Sequence, residues 1–116
     1  MARVGAAVIF TSRRTSADAA GYQRAAARML ELVQQQTGYL GMDSVRDADG
    51  FGITVSYWTC PEAAGLWKQQ AEHLQVQQLG REVWYQQYEL RVCTVVREEF
   101  FPERQGGTEI EESTVR

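Results

Sequence analysis

The sequence has no asparagine, a single histidine (His73), two cysteines, two prolines and no long apolar run. Each shortage excludes something. No hydrophobic stretch approaches the roughly 20 residues that cross a bilayer, so the chain does not read as a membrane protein. Cys60 and Cys93 lie far apart with no cluster of Cys and His around them, which argues against a disulfide framework and against a zinc site. Both read as free thiols. Basic residues are also short: residues 98–116 carry six acids and two arginines, while residues 1–97 hold ten basic and nine acidic groups, giving a net charge of −3. A near-neutral body without a Lys/Arg stripe lacks the electrostatic footprint that nucleic acid requires, so nucleic acid is not an expected partner.

What is present fits one compact domain of 116 residues without internal repeats. The apolar start, Val4 to Phe10, is shorter than most signal-peptide cores and runs into Thr11-Ser12, so Arg3 to Ser12 reads as a first strand. Cytoplasmic residence is the default expectation. Ser16 then suits a helix cap, and Tyr22, Ala25, Ala26, Met29, Leu32, Val33 and Gln36 recur at helical spacing, predicting an amphipathic helix that ends near Gly38. Tyr39 to Asp47 and Phe51 to Thr59 are extended runs around Asp47-Ala48-Asp49-Gly50, a hairpin turn. Pro61-Glu62 opens a second helix with Ala63, Trp67, Ala71 and Leu74 along one face and a stop at Leu79-Gly80. A bridge through Trp84-Tyr85 leads to a last strand, Tyr88 to Phe100, with Leu90, Val92, Thr94 and Val96 on one face. The predicted fold class is α+β: a ferredoxin-like βαββαβ order, a four-stranded antiparallel sheet with two helices on one face. Residues 1–101 form this domain, and residues 102–116 read as an acidic polar tail.

Such a sheet leaves its other face bare, and the usual remedy is burial against the same face of a second copy in a homodimer. Neither the even set Gly52, Thr54, Ser56 and Trp58 nor the odd set Arg91, Cys93 and Val95 is purely core or purely solvent in character. Arg91 and Asp43 read as a structural pair across the sheet or between subunits.

Chemical character concentrates between Phe51 and Val92, which hold all three tryptophans, Tyr57, Tyr85, Tyr88 and His73. Trp58, Trp67, Tyr57 and His73 suit a pocket that excludes water, holds a flat ring and accepts a proton. Three of them have a structural alternative. His73 suits a partly buried histidine paired with Glu72, Gln70 or Gln77 as well as a catalytic base. Trp67 suits core packing as well as a pocket roof, and Trp58 a core or dimer contact as well as a rim. Trp84, Tyr85 and Tyr88 are candidate ligand contacts or fillers at a strand entrance. Arg81, after Gly80, suits a helix-end carbonyl or an anionic substrate oxygen.

The run Gly38-Tyr39-Leu40-Gly41, followed by Gly52-Ile53-Thr54-Val55-Ser56-Tyr57-Trp58, Glu62-Ala63, Trp67-Lys68, Glu72-His73, Gly80-Arg81, Trp84-Tyr85, Tyr88 and Arg91-Val92, resembles the antibiotic biosynthesis monooxygenase domain family over roughly residues 3–100. The resemblance implies a ferredoxin-like domain that dimerises sheet to sheet into an α+β barrel, with a pocket between each subunit's sheet and helices. It also implies a small aromatic or quinol-type ligand oxidised by O2 without cofactor; relatives that bind or degrade heme, and members without activity, supply the alternatives. The heme-degrading relatives use an Asn, a Trp and a His. Trp67 and His73 match two of these, and the absent asparagine leaves the third role empty.

Overall fold

The computed structural model describes residues 3–73 and 80–103. The elements run β1 (Ala6–Arg14), α1 (Ala19–Val33), β2 (Tyr39–Arg46), β3 (Phe51–Trp58), α2 (Pro61–His73), a π-helical turn (Gly80–Trp84) and β4 (Tyr85–Thr94). The four strands make one antiparallel sheet in the order β2-β3-β1-β4. This is the expected ferredoxin-like βαββαβ arrangement. Most of the predicted tail, residues 104–116, lies outside the described residues.

Strand alternation assigns the two faces. Ala6, Val8, Phe10 and Ser12 of β1 pair with Trp58, Ser56, Thr54 and Gly52 of β3, and these sets look toward the helices. Trp58, Ala6, Val33 and Ala64 form the buried centre, with the Tyr39 ring edge-on to Trp58 at 5.5 Å. The opposite face carries Ile9, Val55, Ile53, Phe51 and Val45, with Arg13 stacked over Phe51 at 5.6 Å. Arg91 and Cys93 belong to this bare face and the even residues of β3 do not.

Two bulges reset the alternation. In β2, Tyr39 pairs with Trp58 and Gly41 with the adjacent Tyr57, so Leu40 is an extra residue. The inward parity therefore changes from odd at Tyr39 to even at Met42, Ser44 and Arg46. Gly41, at φ 140°, takes the backbone conformation that the bulge requires. In β4, Arg13 pairs with Gln87 and Arg14 with Tyr85, so Gln86 is skipped and Tyr85 shares a face with Tyr88.

Several boundaries differ from the sequence expectation. The cap of α1 is Asp18, not Ser16: at φ 50° its Oδ1 accepts the Gly21 backbone N–H at 3.1 Å. Gly21 makes room for that carboxylate, since a Cβ there would stand 2.0 Å from Oδ2. Regular α1 stops at Val33, and the chain turns through Gln34 to Gly38 before β2. β4 starts three residues earlier than expected and ends at Thr94, leaving Val96 exposed beyond it. Within one subunit Asp43 and Arg91 do not pair, because β2 and β4 are opposite sheet edges; Asp43 accepts the Tyr57 hydroxyl at 2.7 Å and Arg91 meets Glu89 at 3.1 Å.

Among the described residues no helix is long and apolar enough to cross a membrane.

Candidate functional site

Helix α1 buries only Gly21 and Val33 completely, so its middle stands off the sheet. The gap is a cavity of about 420 Å³. Ala25, Ala26, Met29 and Leu30 of α1 form one wall and Trp67 and Lys68 of α2 another. Its floor is the inward face of the sheet: Val8 and Phe10 of β1, Met42, Ser44 and Arg46 of β2, Thr54 and Ser56 of β3, Leu90 and Val92 of β4. The lining is mainly apolar, and its volume lies in the range of small-molecule sites.

One end is aromatic. Phe10 contacts Tyr85 edge-on at 5.5 Å and Tyr88 at 5.2 Å, and Tyr22 meets Trp84 at 5.8 Å and Tyr85 at 6.1 Å, both edge-on. The cluster is anchored from outside the cavity: Trp84 Nε1 donates to Asp18 Oδ2 at 3.3 Å, and the Arg14 guanidinium lies 3.7 Å over the Tyr22 ring while its Nε donates to the Trp84 carbonyl. The cap of α1 and the π-helical turn are thereby tied to the same carboxylate. Burial pushes the Tyr85 phenol above its ordinary value, the Tyr22 hydroxyl adds to the rise, and the charges of Arg46 and Arg14 offset part of it. Tyr85 is therefore a neutral hydroxyl near pH 7.

The polar groups of the lining are few and held in place. Arg46 Nη2 donates to Ser12 Oγ at 2.9 Å and Nη1 to the Gly50 carbonyl at 2.6 Å. Ser44 and Thr54 share a 2.6 Å hydroxyl contact across β2 and β3, and Ser56 Oγ accepts Trp58 Nε1 at 2.9 Å. Among the described residues no group of three His, Cys, Asp or Glu is gathered as a metal site.

Of the residues singled out in the sequence, Trp67, Trp84, Tyr85 and Tyr88 meet at this cavity. Tyr57 and Trp58 do not. Trp58 is wholly buried in the core, and Tyr57, one residue before it on the strand, points from the other face toward Asp43. The hydrogen bond to the Asp43 carboxylate raises the Tyr57 phenol above its ordinary value, with burial and the carboxylate's charge adding to the rise. The side chains of His73 and Arg81 lie outside the described residues. The backbone of α2 is regular through position 73, which sits about 120° around the helix from Trp67. Sequence reasoning did not find Arg46, Ser12 or Phe10. Tyr22 did carry a signal, its place on the apolar stripe of α1, but no motif marked it as part of a site.

No family model matches the sequence. The uncharacterized protein YqjZ of Bacillus subtilis is 46% identical over 97 residues, which is 84% of each chain. The chain belongs to the YqjZ family. Its fold is that of the antibiotic biosynthesis monooxygenase domains. SnoaB of Streptomyces nogalater, a cofactor-independent oxygenase, superposes with a TM-score of 0.69 at 17% identity, covering 87% of this chain and 100% of SnoaB. A Nitrosomonas europaea protein put forward as an antibiotic biosynthesis monooxygenase superposes with a TM-score of 0.66 at 11% identity, over 88% of this chain and 98% of that one. PA3566 of Pseudomonas aeruginosa gives 0.64 at 16% identity, over 84% and 99%. At these identities the likeness is one of fold.

Proposed function

We propose that this YqjZ-family chain is a homodimeric monooxygenase that oxidises a flat aromatic or quinol-type molecule with O2, needing neither metal nor flavin. The observation that carries the reading is the cavity of about 420 Å³, mainly apolar and bordered at one end by Phe10, Trp84, Tyr85 and Tyr88, in a fold shared with a cofactor-independent oxygenase. An apolar site of this size favours a planar ring system and excludes water from the reacting carbon. In such a reaction a base removes a proton from the substrate, and the resulting carbanion or phenolate supplies electrons to O2. For an anthrone, the ring methylene becomes a carbonyl: one oxygen atom enters the carbon, and the other leaves as water with the two methylene hydrogens. The four electrons come from the substrate, so no external reductant enters.

His73 is proposed as the base, on α2 beyond Trp67, which would hold the ring. Trp84, Tyr85 and Tyr88 are proposed to line the ligand, and Arg81 to approach an oxygen from the π-helical turn. Tyr57 and Trp58 have no part in this assignment. Oxygen uptake with anthrones and quinols, measured with the wild type and with His73→Ala, tests it. The expected result is turnover above buffer that falls at least about tenfold in His73→Ala. Turnover unchanged in the variant removes His73 from the chemistry, and ligand binding without turnover makes the protein a non-catalytic binder.

A further inference from the structure

The charge of the cavity lining has one sign. Among the described side chains that line it none is a carboxylate, three are tyrosines, and the Arg46 guanidinium is held by neutral partners. In an apolar cavity such an imbalance matters, because an ionised ligand group leaves water only where opposite charge or hydrogen-bond donors replace its hydration. A neutral hydrocarbon would have no use for it.

Arg46 stands at the exposed end of β2, at the edge of the cavity. Its side chain is braced rather than free: Nη1 reaches the carbonyl oxygens of Gly50 and Ser12, and Nη2 reaches the Oγ of Ser12, a buried residue. A Cβ on Gly52 would lie 2.6 Å from its guanidinium carbon, so the absence of a side chain there lets the group lie across the strand. A guanidinium has five N–H donors, and this bracing leaves the Nε–H and one Nη2–H for a ligand. Tyr85 lines the same cavity, and the ionisation of its phenol feels the Arg46 charge; it stays protonated near pH 7 and shares a hydrogen bond with the Tyr22 hydroxyl, so the phenol pair keeps one proton to offer a ligand. The β2 bulge at Leu40 is what turns Arg46 to this side of the sheet.

We infer that the cavity selects an anionic ligand, and that Arg46, with the Tyr85 hydroxyl, seats an ionised oxygen borne by the flat ring system. The inference rests on the reading of the cavity as a site for a flat aromatic molecule, and gives that molecule a charge and an orientation. The ionised oxygen lies at the Arg46 and Tyr85 end, and the hydrocarbon body extends between α1 and the sheet toward Met29, Leu90 and Val92. Arg46 thereby acts on substrate choice; no bond is made or broken at it.

Quenching of the fluorescence of Trp67 and Trp84 by anthraquinone-2-carboxylate and by anthraquinone-2-carboxamide provides the test. The two probes share the ring and differ in charge. The expected result for the wild type is a carboxylate affinity about tenfold above that of the amide, a preference that declines with added salt. Arg46→Gln is expected to bring the two affinities within about twofold, Arg46→Lys to retain part of the preference, and Lys68→Gln to leave most of it. Equal affinities in the wild type overturn the inference and leave the aromatic-site reading standing, without recourse to any variant. A preference that survives Arg46→Gln but vanishes in Lys68→Gln overturns Arg46 as the seat. If neither probe binds, the aromatic-site reading fails and the inference with it.

Discussion

Trp58 and Tyr85 illustrate how residue type and residue role part company. Both looked like ligand contacts in the sequence, and both are large aromatics near the ends of strands. Trp58 has its indole N–H taken by Ser56 and its ring against Tyr39, which makes it a core residue. Tyr85 instead sits at the cavity, its phenol buried beside Tyr22. That burial has a consequence in alkaline solution. A tyrosine in the unfolded chain ionises near pH 10, whereas folded Tyr85 holds its proton to higher pH. Above pH 10 the unfolded state binds fewer protons than the folded one, so stability present below pH 10 declines as pH rises toward the folded value. The expected loss is up to about 1 kcal/mol per pH unit from this group, read from urea unfolding midpoints between pH 9 and 11.5. Tyr85→Phe should flatten that decline, and an equally steep decline in the variant would place the cause elsewhere.

At the scale of elements, the two bulges decide what the cavity contains. Without the extra residue at Leu40, strict alternation from Tyr39 would turn Gly41, Asp43 and Val45 inward, and Arg46 would face away. Without the skipped Gln86, Tyr85 and Tyr88 would lie on opposite faces. The β2 bulge depends on Gly41, whose φ of 140° disfavours any side chain although nothing lies within 4 Å of a Cβ built there. The penalty at this position is therefore conformational and not steric crowding by neighbours. Gly41→Val is expected to lower unfolding free energy by about 1–2 kcal/mol in denaturant titration. It should also weaken the anthraquinone-2-carboxylate affinity more than Gly50→Ala does, because the Gly50 turn contributes only a backbone acceptor to Arg46.

At the scale of the whole molecule, one face of the sheet is left bare. Val45 is 71% exposed, and Ile53 and Phe51, 37% and 36% exposed, adjoin Ile9 and Val55 on the same face. A contiguous apolar sheet face of this kind is costly in water and is the proposed site of two-fold pairing. Ile53→Glu sets a charge at its centre. Sedimentation equilibrium should show a dimer for the wild type and a shift of the variant toward monomer by at least about tenfold in dissociation constant, with the circular dichroism of the folded subunit retained. A wild type that sediments as a monomer removes the dimer from the proposed function.

The fold was readable in the sequence because it rests on local signals: apolar repeats of period 2 and 3.6, the Asp47–Gly50 turn, and Pro61 opening α2. The motif run from Gly38 to Val92 added the family resemblance. The gathering of Trp67, Trp84, Tyr85 and Tyr88 was half-legible, since aromatic density pointed to the right half of the chain but not to the face each ring would take. Facing is a parity, and one inserted residue reverses it. Leu40 and Gln86 are inconspicuous as letters, yet their place in the tertiary structure brings Arg46 and Tyr85 to the cavity, while the unbroken register of β3 keeps Tyr57 on the other side of the sheet. The sequence by itself determined a ferredoxin-like domain rich in aromatics and poor in the residues of metal and disulfide chemistry. Strand registry, set by hydrogen-bonded partners far away in the chain, decided which side chains a ligand would meet.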